Sequence, residues 1–453
     1  MQPYNRRSLQ ELMLAFGPVS ERVITDATLR LLLRPLDAAN RLHGGAASFA
    51  GRNVLIRTRG QLAAVLALLA LDGVAARILL CPPDVTDEQI HRIMQDGETD
   101  IIVTDADICA ENSTPARQVA AMPRFDTEWV LFTSGTSGVP KLVLHSLTSL
   151  TAPLRDGPSA DHAVWATFYD IRRYGGLQIL LRALIGGGSM VLSDVDEPVA
   201  SFLIRIGKAA VTHVSGTPSH WRRALMSGAA AKITPAYVRL SGEMASQDIL
   251  DRLLQTYPQA RIGHAFASTE AGVAFSVYDG RAGFPATVLS AVPPRPTIRI
   301  EGGTLRVRSG AAAVRYLGTP PRGLVDADGF IDTGDMVELQ DDRYHVIGRR
   351  EGVVNVGGLK VHPEEVEEVI NRHPGVLMSR VWGRHSPIIG TLIAADVVLT
   401  PRHDGVVGDF AGIRAEIMAA CRAALAPHKV PVRLTKVAEI PVMASGKIER
   451  RRA

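Results

Sequence analysis

Between residues 52 and 104, short apolar runs alternate with helix-forming stretches, and this alternation limits the fold of the 453-residue chain more than any other feature. Arg52–Arg57, Arg77–Cys81 and Ile101–Thr104 read as strands. Gln61–Leu71 reads as a largely buried helix and Asp87–Met94 as a second one. Strands separated by helices pair in parallel, with helices packed on the sheet, so a doubly wound sheet is predicted. The rhythm returns downstream. Val164–Phe168, a strand ending at Leu192, Val211–Gly216 and Val238–Glu243 are strands; Leu177–Leu184, Pro218–Leu225 and Gln247–Leu254 are helices. Ser8-Leu9-Gln10-Glu11 is a capping box that puts Leu9, Leu12, Met13 and Phe16 on one helical face. Later the period changes to two. Thr297–Arg308 alternates around Gly302-Gly303, and Val337–Ile347 around Asp341-Asp342, which predicts two hairpins. Ala411–Leu425 reads as a helix with a short sheet around it.

A chain of this length divides into at least two domains. Its net charge of +4 is small for the length and argues against a nucleic-acid partner, and Arg450–Arg452 reads as a solvated tail. Cys81, Cys109 and Cys421 have neither metal-ligand nor disulfide spacing, which predicts a reducing cytoplasm. The longest apolar run, Leu62–Leu71, is too short to span a bilayer, so no membrane partner is expected. Arg6 and Arg7 precede no long apolar core, and no signal peptide is expected.

The chemistry concentrates in Leu131–His145. An apolar run enters Thr133, Ser134, Gly135, Thr136, Ser137 and Gly138; Pro140 and Lys141 close the loop. Small residues let backbone N–H groups approach a ligand, and hydroxyls add donors. With the Lys141 charge the loop suits a polyphosphate. It lacks the Gly-Lys-Ser/Thr ending of a Walker A loop. Composition alone also admits a Ser/Gly-rich surface turn. Only seven lysines occur, and Lys141 and Lys447 stand beside glycine-rich turns in a chain that otherwise uses arginine. A compact ammonium and a guanidinium are not interchangeable at a phosphate.

Thr133–Lys141 resembles the phosphate loop of the adenylate-forming enzymes: acyl- and aryl-CoA ligases, peptide-synthetase adenylation domains and luciferases. Four further motifs follow in the family's order. Phe266-Ala267-Ser268-Thr269-Glu270 resembles its aromatic-Gly-x-Thr-Glu run, with Ala267 in place of Gly. Thr333-Gly334-Asp335 resembles its ribose site. Gly348-Arg349-Arg350-Glu351 resembles its domain boundary. Pro441–Arg450 resembles its Pro-x-x-x-x-Gly-Lys-x-x-Arg signature. The phosphate loop begins earlier than is usual for the family, so the N-terminal region looks trimmed.

The resemblance implies an α/β chain. Residues 1–348 form a large ATP- and carboxylate-binding domain with doubly wound parallel sheets and a small β-barrel-like part. Residues 349–453 form a small, mobile α+β domain. It implies that Gly242, Glu243 and Phe266 surround the adenine, Asp335 and Arg349 take the ribose and phosphate, and Thr269 meets the α-phosphate. Glu270 helps hold Mg²⁺, a hard cation that prefers oxygen ligands. Lys447 is the adenylation lysine, Glu351 the hinge, and Gly357, Gly358 and Lys360 flank a thiol tunnel. Taken alone, Thr-Glu before Ala-Gly is more often a helix cap, and Asp335 could simply close a turn. Tyr174 stands where amino-acid-activating members carry an Asp, which leans away from an amino-acid substrate; Arg172 and Arg173 read as decoration of a helix start. Tyr169, Tyr174, Ser215 and His264 are candidates for a moderately polar acid pocket, as are His213 and Thr217.

The implied activity is that of a carboxylic acid–CoA ligase using ATP, Mg²⁺ and CoA on a small acid. A free-standing enzyme that loads an acyl carrier protein's phosphopantetheine remains open, as does a nucleotide-binding protein that has lost catalysis.

Overall fold

The computed structural model describes residues 7–15, 22–32, 41–109, 124–133, 140–154, 162–194, 196–318, 323–386, 390–400, 410–443 and 447–448. Phe16, Ser134–Gly138 and Arg450–Arg452 lie outside them.

One sheet has the order Arg315–Leu317, Lys141–Ser146, Glu128–Thr133, Arg77–Leu80, Asn53–Ile56, Ile101–Val103. Its inner strands are parallel, and Glu128–Ser146 forms an antiparallel hairpin that pairs Thr133 with Lys141. A second, eight-stranded sheet holds Val164–Thr167, His213–Gly216, Tyr237–Ser241 and Arg261–Ser268 in parallel register. Helix Gln61–Leu71 lies between the sheets. Its apolar core includes Val54 and Ile78 from the first sheet and Trp165 and Tyr237 from the second. A helix covered on both sides has no polar face to show, which is why this one is apolar all round.

Thr269-Glu270 leads into the strand Gly272–Val277, antiparallel to Arg261–Ser268, and not into a helix; the helix-cap alternative is overturned. Both predicted hairpins form and join a five-stranded antiparallel sheet. Gly302 and Gly303 turn the first with φ of +58° and +76°, a region that costs a side-chain-bearing residue roughly 1–2 kcal/mol.

Residues Val356–Leu434 gather their own apolar core. The sheet there is not short: Val376–Ser386 and Gly390–Leu399 form a long hairpin, with Arg433–Lys436 added in parallel. Arg380 and Gly383 interrupt its apolar alternation, which hid it; Arg380 pairs with Asp396 at 2.6 Å.

Arg172 is not surface decoration. It is fully buried, paired with Asp170 at 2.5 Å, and donates to the carbonyls of Thr58 and Arg59, tying the two sheets together. Asp170 is thereby committed to Arg172. The helix after it begins at Tyr174, three residues earlier than predicted.

Candidate active site

Thr133 and Lys141 stand opposite each other where the Glu128–Ser146 hairpin opens, and the Thr133 hydroxyl is buried without a hydrogen-bond partner. The loop residues between them are outside the described set. Lys141 Nζ lies 5.7 Å from the centre of the Tyr316 ring, and the Tyr316 hydroxyl donates to Glu270 Oε1 at 3.2 Å. The neighbouring Thr269 carbonyl is held by His145 Nε2 at 2.8 Å. A carbonyl only accepts, so Nε2 carries the proton. Burial pushes the His145 imidazole down to about 4, which keeps it neutral near pH 7. His145 and Tyr316 escaped the sequence reading because neither belongs to a motif. Their roles come from the edge strand Arg315–Leu317 docking on Lys141–Ser146.

The structure brings Lys447 into this region. The hairpin carrying it closes through the Met443 N–H donating to the Lys447 carbonyl, and Val442 bridges Ile448. Glu243 anchors that hairpin. One carboxylate oxygen accepts the Ile448 N–H at 3.2 Å, and the other accepts the Ser219 N–H at 2.9 Å in the first turn of helix Pro218–Met226. An anion at a helix N-terminus satisfies an orphan donor and complements the dipole. Glu243 is thus occupied by two backbone amides. Gly242, with φ of +86°, presses close: a side chain there would lie 3.9 Å from Lys447 Cε. Burial lowers the proton affinity of Lys447, as does Arg349; Glu243, Asp335 and Glu270 pull the other way. The ammonium therefore sits in the common field of three carboxylates drawn from three separate motifs.

Asp335 and Arg349 face each other across their strand pair, with Arg349 Nε donating to Asp335 Oδ1 at 3.3 Å. Asp335 is buried and Arg349 half exposed. Phe266 stacks on Phe275 with ring centres 5.7 Å apart. Glu351 lies in the exposed turn Arg350–Gly352. Gly357 and Gly358, with φ of +58° and +88°, turn a second hairpin, and the Gly358 N–H is held by Asn355 Oδ1 at 2.9 Å. The hairpin's valines Val356 and Val361 are buried in the C-terminal core, while its turn residues Gly357 and Gly358 and Lys360 are exposed and are not part of the site around Lys447.

Of the four acid-pocket candidates, three are buried. The buried Tyr169 hydroxyl donates to the Ser241 carbonyl at 2.6 Å. Tyr174 is buried with its ring 5.7 Å from His145. Ser215 is fully buried with an unpartnered hydroxyl. His264 does not join them: its partner in register is Leu240, on the other face of the sheet, and its Nε2 meets the Arg281 carbonyl at 3.0 Å. Successive strand residues point to opposite faces, and this parity explains the miss. Among the described residues no three His, Cys, Asp or Glu side chains form a metal cage. A single carboxylate such as Glu270 beside a phosphate loop fits Mg²⁺, which retains waters and phosphate oxygens as ligands.

The profile of the AMP-binding enzymes matches residues 31–301, and that of the AMP-binding enzyme C-terminal domain matches residues 365–447. The chain belongs to the AMP-binding, adenylate-forming enzyme family. This AMP-binding enzyme is 27% identical over 421 residues to the 2-succinylbenzoate–CoA ligase of Geobacillus kaustophilus, covering 84% of the chain and 83% of the relative. It is 25% identical to the human mitochondrial acyl-coenzyme A synthetase ACSM1 over 75% of the chain, and spans 63% of that relative's length. Among solved structures, the anthranilate CoA ligase AuaEII in complex with anthranoyl-AMP superposes with a TM-score of 0.81 at 18% identity, covering 99% of this chain and 96% of that one. At that identity the likeness concerns the fold.

Proposed function

We propose that the chain is an ATP-dependent carboxylic acid–CoA ligase that works through an acyl-adenylate. The observation that carries this reading is Lys447 lodged beside Gly242, in the field of Glu243, Glu270 and Asp335. The domain boundary falls at residues 348 and 349, and Glu351 acts as the hinge. In the first half-reaction a carboxylate oxygen attacks the α-phosphorus of ATP, the bond to the β-phosphate oxygen breaks, and pyrophosphate leaves. No protein nucleophile is required. The chain contributes position and charge: Lys447 bridges the carboxylate and the α-phosphoryl oxygens, Lys141 and the 133–141 loop hold the leaving group, and Thr269 meets the α-phosphate. Asp335 accepts from the ribose hydroxyls, Arg349 reaches ribose and phosphate, and Phe266 covers the adenine. Glu270 would hold Mg²⁺, which neutralises charge on the departing pyrophosphate.

In the second half-reaction the CoA thiolate attacks the acyl carbon, the C–O bond to phosphorus breaks, and AMP leaves. Gly357, Gly358 and Lys360 are exposed and would reach the site only if the small domain turned about Arg350–Gly352, a gating motion. Buried free thiols at Cys81 and Cys421 support a reducing cytoplasm. The names of the relatives support CoA over a carrier protein as acceptor.

The test is acid-dependent pyrophosphate release from ATP and Mg²⁺, with and without CoA, across aryl, short-chain, long-chain and amino acids. Release with one class, followed by thioester on adding CoA, is expected. Adenylate that stalls despite CoA would point to a carrier protein. ATP binding without acid-dependent release would overturn the ligase reading.

A further inference from the structure

The strand Tyr237–Ser241 carries a guanidinium that no motif includes. Arg239 and Ser215 are partners in parallel register, so their side chains leave the same face of the sheet, and Ser241 follows on that face. Tyr169 touches Ser241 there, two residues from Arg239 and next to Gly242, which neighbours Lys447. Arg239 Nη1 has only long, neutral contacts: 3.4 Å to the Tyr237 hydroxyl and 3.3 Å to Ser276 Oγ. No carboxylate pairs with it among the described residues. Among the described residues Arg182, from helix Tyr174–Ile185, is hydrogen-bonded to the Pro153 carbonyl at 3.3 Å.

Buried Arg77, Arg172, Arg222, Arg343 and Arg380 each hold a carboxylate. Arg239 is half-buried, and a guanidinium partly withdrawn from water without an anion carries a cost. Burial lowers the proton affinity of Arg182, and so does the charge of Arg239, while Arg239's own is raised by Tyr237 against the effect of burial. His213, in the same cluster, is pushed down to about 4 by burial and by Arg182, so it stays neutral. The Ser215 hydroxyl, fully buried and without a partner among the described residues, lies on the same face, as does the small Ala265 in register with Ser241. Among the described residues the face therefore holds the Arg239 guanidinium, hydroxyl donors and no carboxylate.

We infer that the acid substrate carries a second carboxylate, distal to the reacting one, and that Arg239 binds it. The inference rests on the ligase reading for the identity of the reacting end. A planar guanidinium accepts a carboxylate in bidentate fashion, and Ser215 adds a donor. Three strand residues separate Arg239 from Gly242, about 10 Å at roughly 3.4 Å per residue. That sets the separation of the two carboxylates and favours aryl or medium-length diacids over very short ones.

The experiment compares matched pairs: terephthalate, 3-(4-carboxyphenyl)propanoate, adipate and suberate, each against its monoamide. Pyrophosphate release gives kcat/KM for each member. The wild-type enzyme is expected to prefer at least one diacid by about 100-fold, because a site built around unpaired polar groups rejects the analogue that leaves them unpaired. In Arg239→Gln the ratio collapses to within about threefold, through KM for the diacid. Arg239→Lys retains part of the ratio, having the charge without the fork, and serves if the Gln variant folds poorly. A wild-type ratio near one, or equal losses for diacid and monoamide in Arg239→Gln, overturns the inference while leaving the ligase reading intact. If no acid releases pyrophosphate, calorimetric binding of the same pairs decides. Diacid-selective binding lost in Arg239→Gln upholds the subsite and overturns the ligase reading; unselective binding overturns both.

Discussion

Two hairpins of the small C-terminal unit have opposite fates. The one ending at Lys447 and Ile448 is docked: Glu243 grips its backbone, and its lysine is lodged among carboxylates of the large unit. The other exposes its turn at Gly357 and Gly358 along with Lys360. Both belong to motifs that the sequence assigns to one reaction, yet only one is at the site. Under the proposed ligase mechanism a rigid unit with two functional ends serves the two half-reactions in turn, and the arrangement seen here would serve the first.

Replacing Lys447 gives the widest separation between the two ends. Lys447→Ala should lower pyrophosphate release by about 10²–10³, the scale of one lost transition-state donor, while supplied acyl-adenylate still becomes thioester when CoA is added. Equal loss in both assays would abolish the distinction. Glu243→Ala strikes the grip instead of the lysine. Removing a charged acceptor from two amides should cost about tenfold in pyrophosphate release, with the thioester assay less affected. An equal effect on both would make Glu243 a folding residue only. Gly358→Ala tests the other end. Its added carbon meets open space, so the penalty is the positive φ alone, and a roughly threefold to tenfold loss confined to thioester formation is expected.

The smallest effect is in pH. Burial and Arg349 lower the proton affinity of Lys447. The charged form the first half-reaction needs is therefore lost at a lower pH than for a free lysine, and the alkaline limb of pyrophosphate release should move down. Glu243 opposes this shift, so Glu243→Ala should move the limb further down. The thioester assay should show no such limb from Lys447, and finding one there would assign it to another group.

Much of this site was legible because its chemistry travels in contiguous runs. Thr133–Lys141, Thr269-Glu270, Asp335 with Arg349, and Lys447 all announce themselves by local pattern, and hairpin signals such as Gly302-Gly303 reported the antiparallel sheet. What stayed hidden depends on register and on backbone. The two partners of Glu243 are amides 24 and 205 residues away, and every residue but proline has an amide. Arg239 looked like the polar member of an ordinary alternating strand. Only the pairing of Ser215 with Arg239 and of Leu240 with His264 shows that the arginine faces the acid-pocket candidates and the histidine does not. Arg172 misled for the complementary reason: charge suggested surface, and a sealed ion pair with Asp170 had removed it from view.

The core of the C-terminal unit is drawn from residues 354–434 alone, and beyond the Arg350–Asp332 pair at 2.7 Å and the Arg349–Asp335 pair at 3.3 Å beside the leash, the hydrogen bonds described between it and the large unit are long: Arg222 Nη1 to the Leu377 carbonyl and Arg252 Nη2 to the Val376 carbonyl, both at 3.4 Å, with Ile448 to Glu243 at 3.2 Å. Thermodynamically the two units behave as a weak complex whose partners share a leash. A short leash such as Arg350–Gly352 maintains an effective concentration of about a millimolar or more, so contacts too weak to join separate proteins suffice to populate the docked state. Because those contacts can be exchanged for water, release does not require the core to open. Lengthening the leash would dilute the partner without altering a single contact at the site.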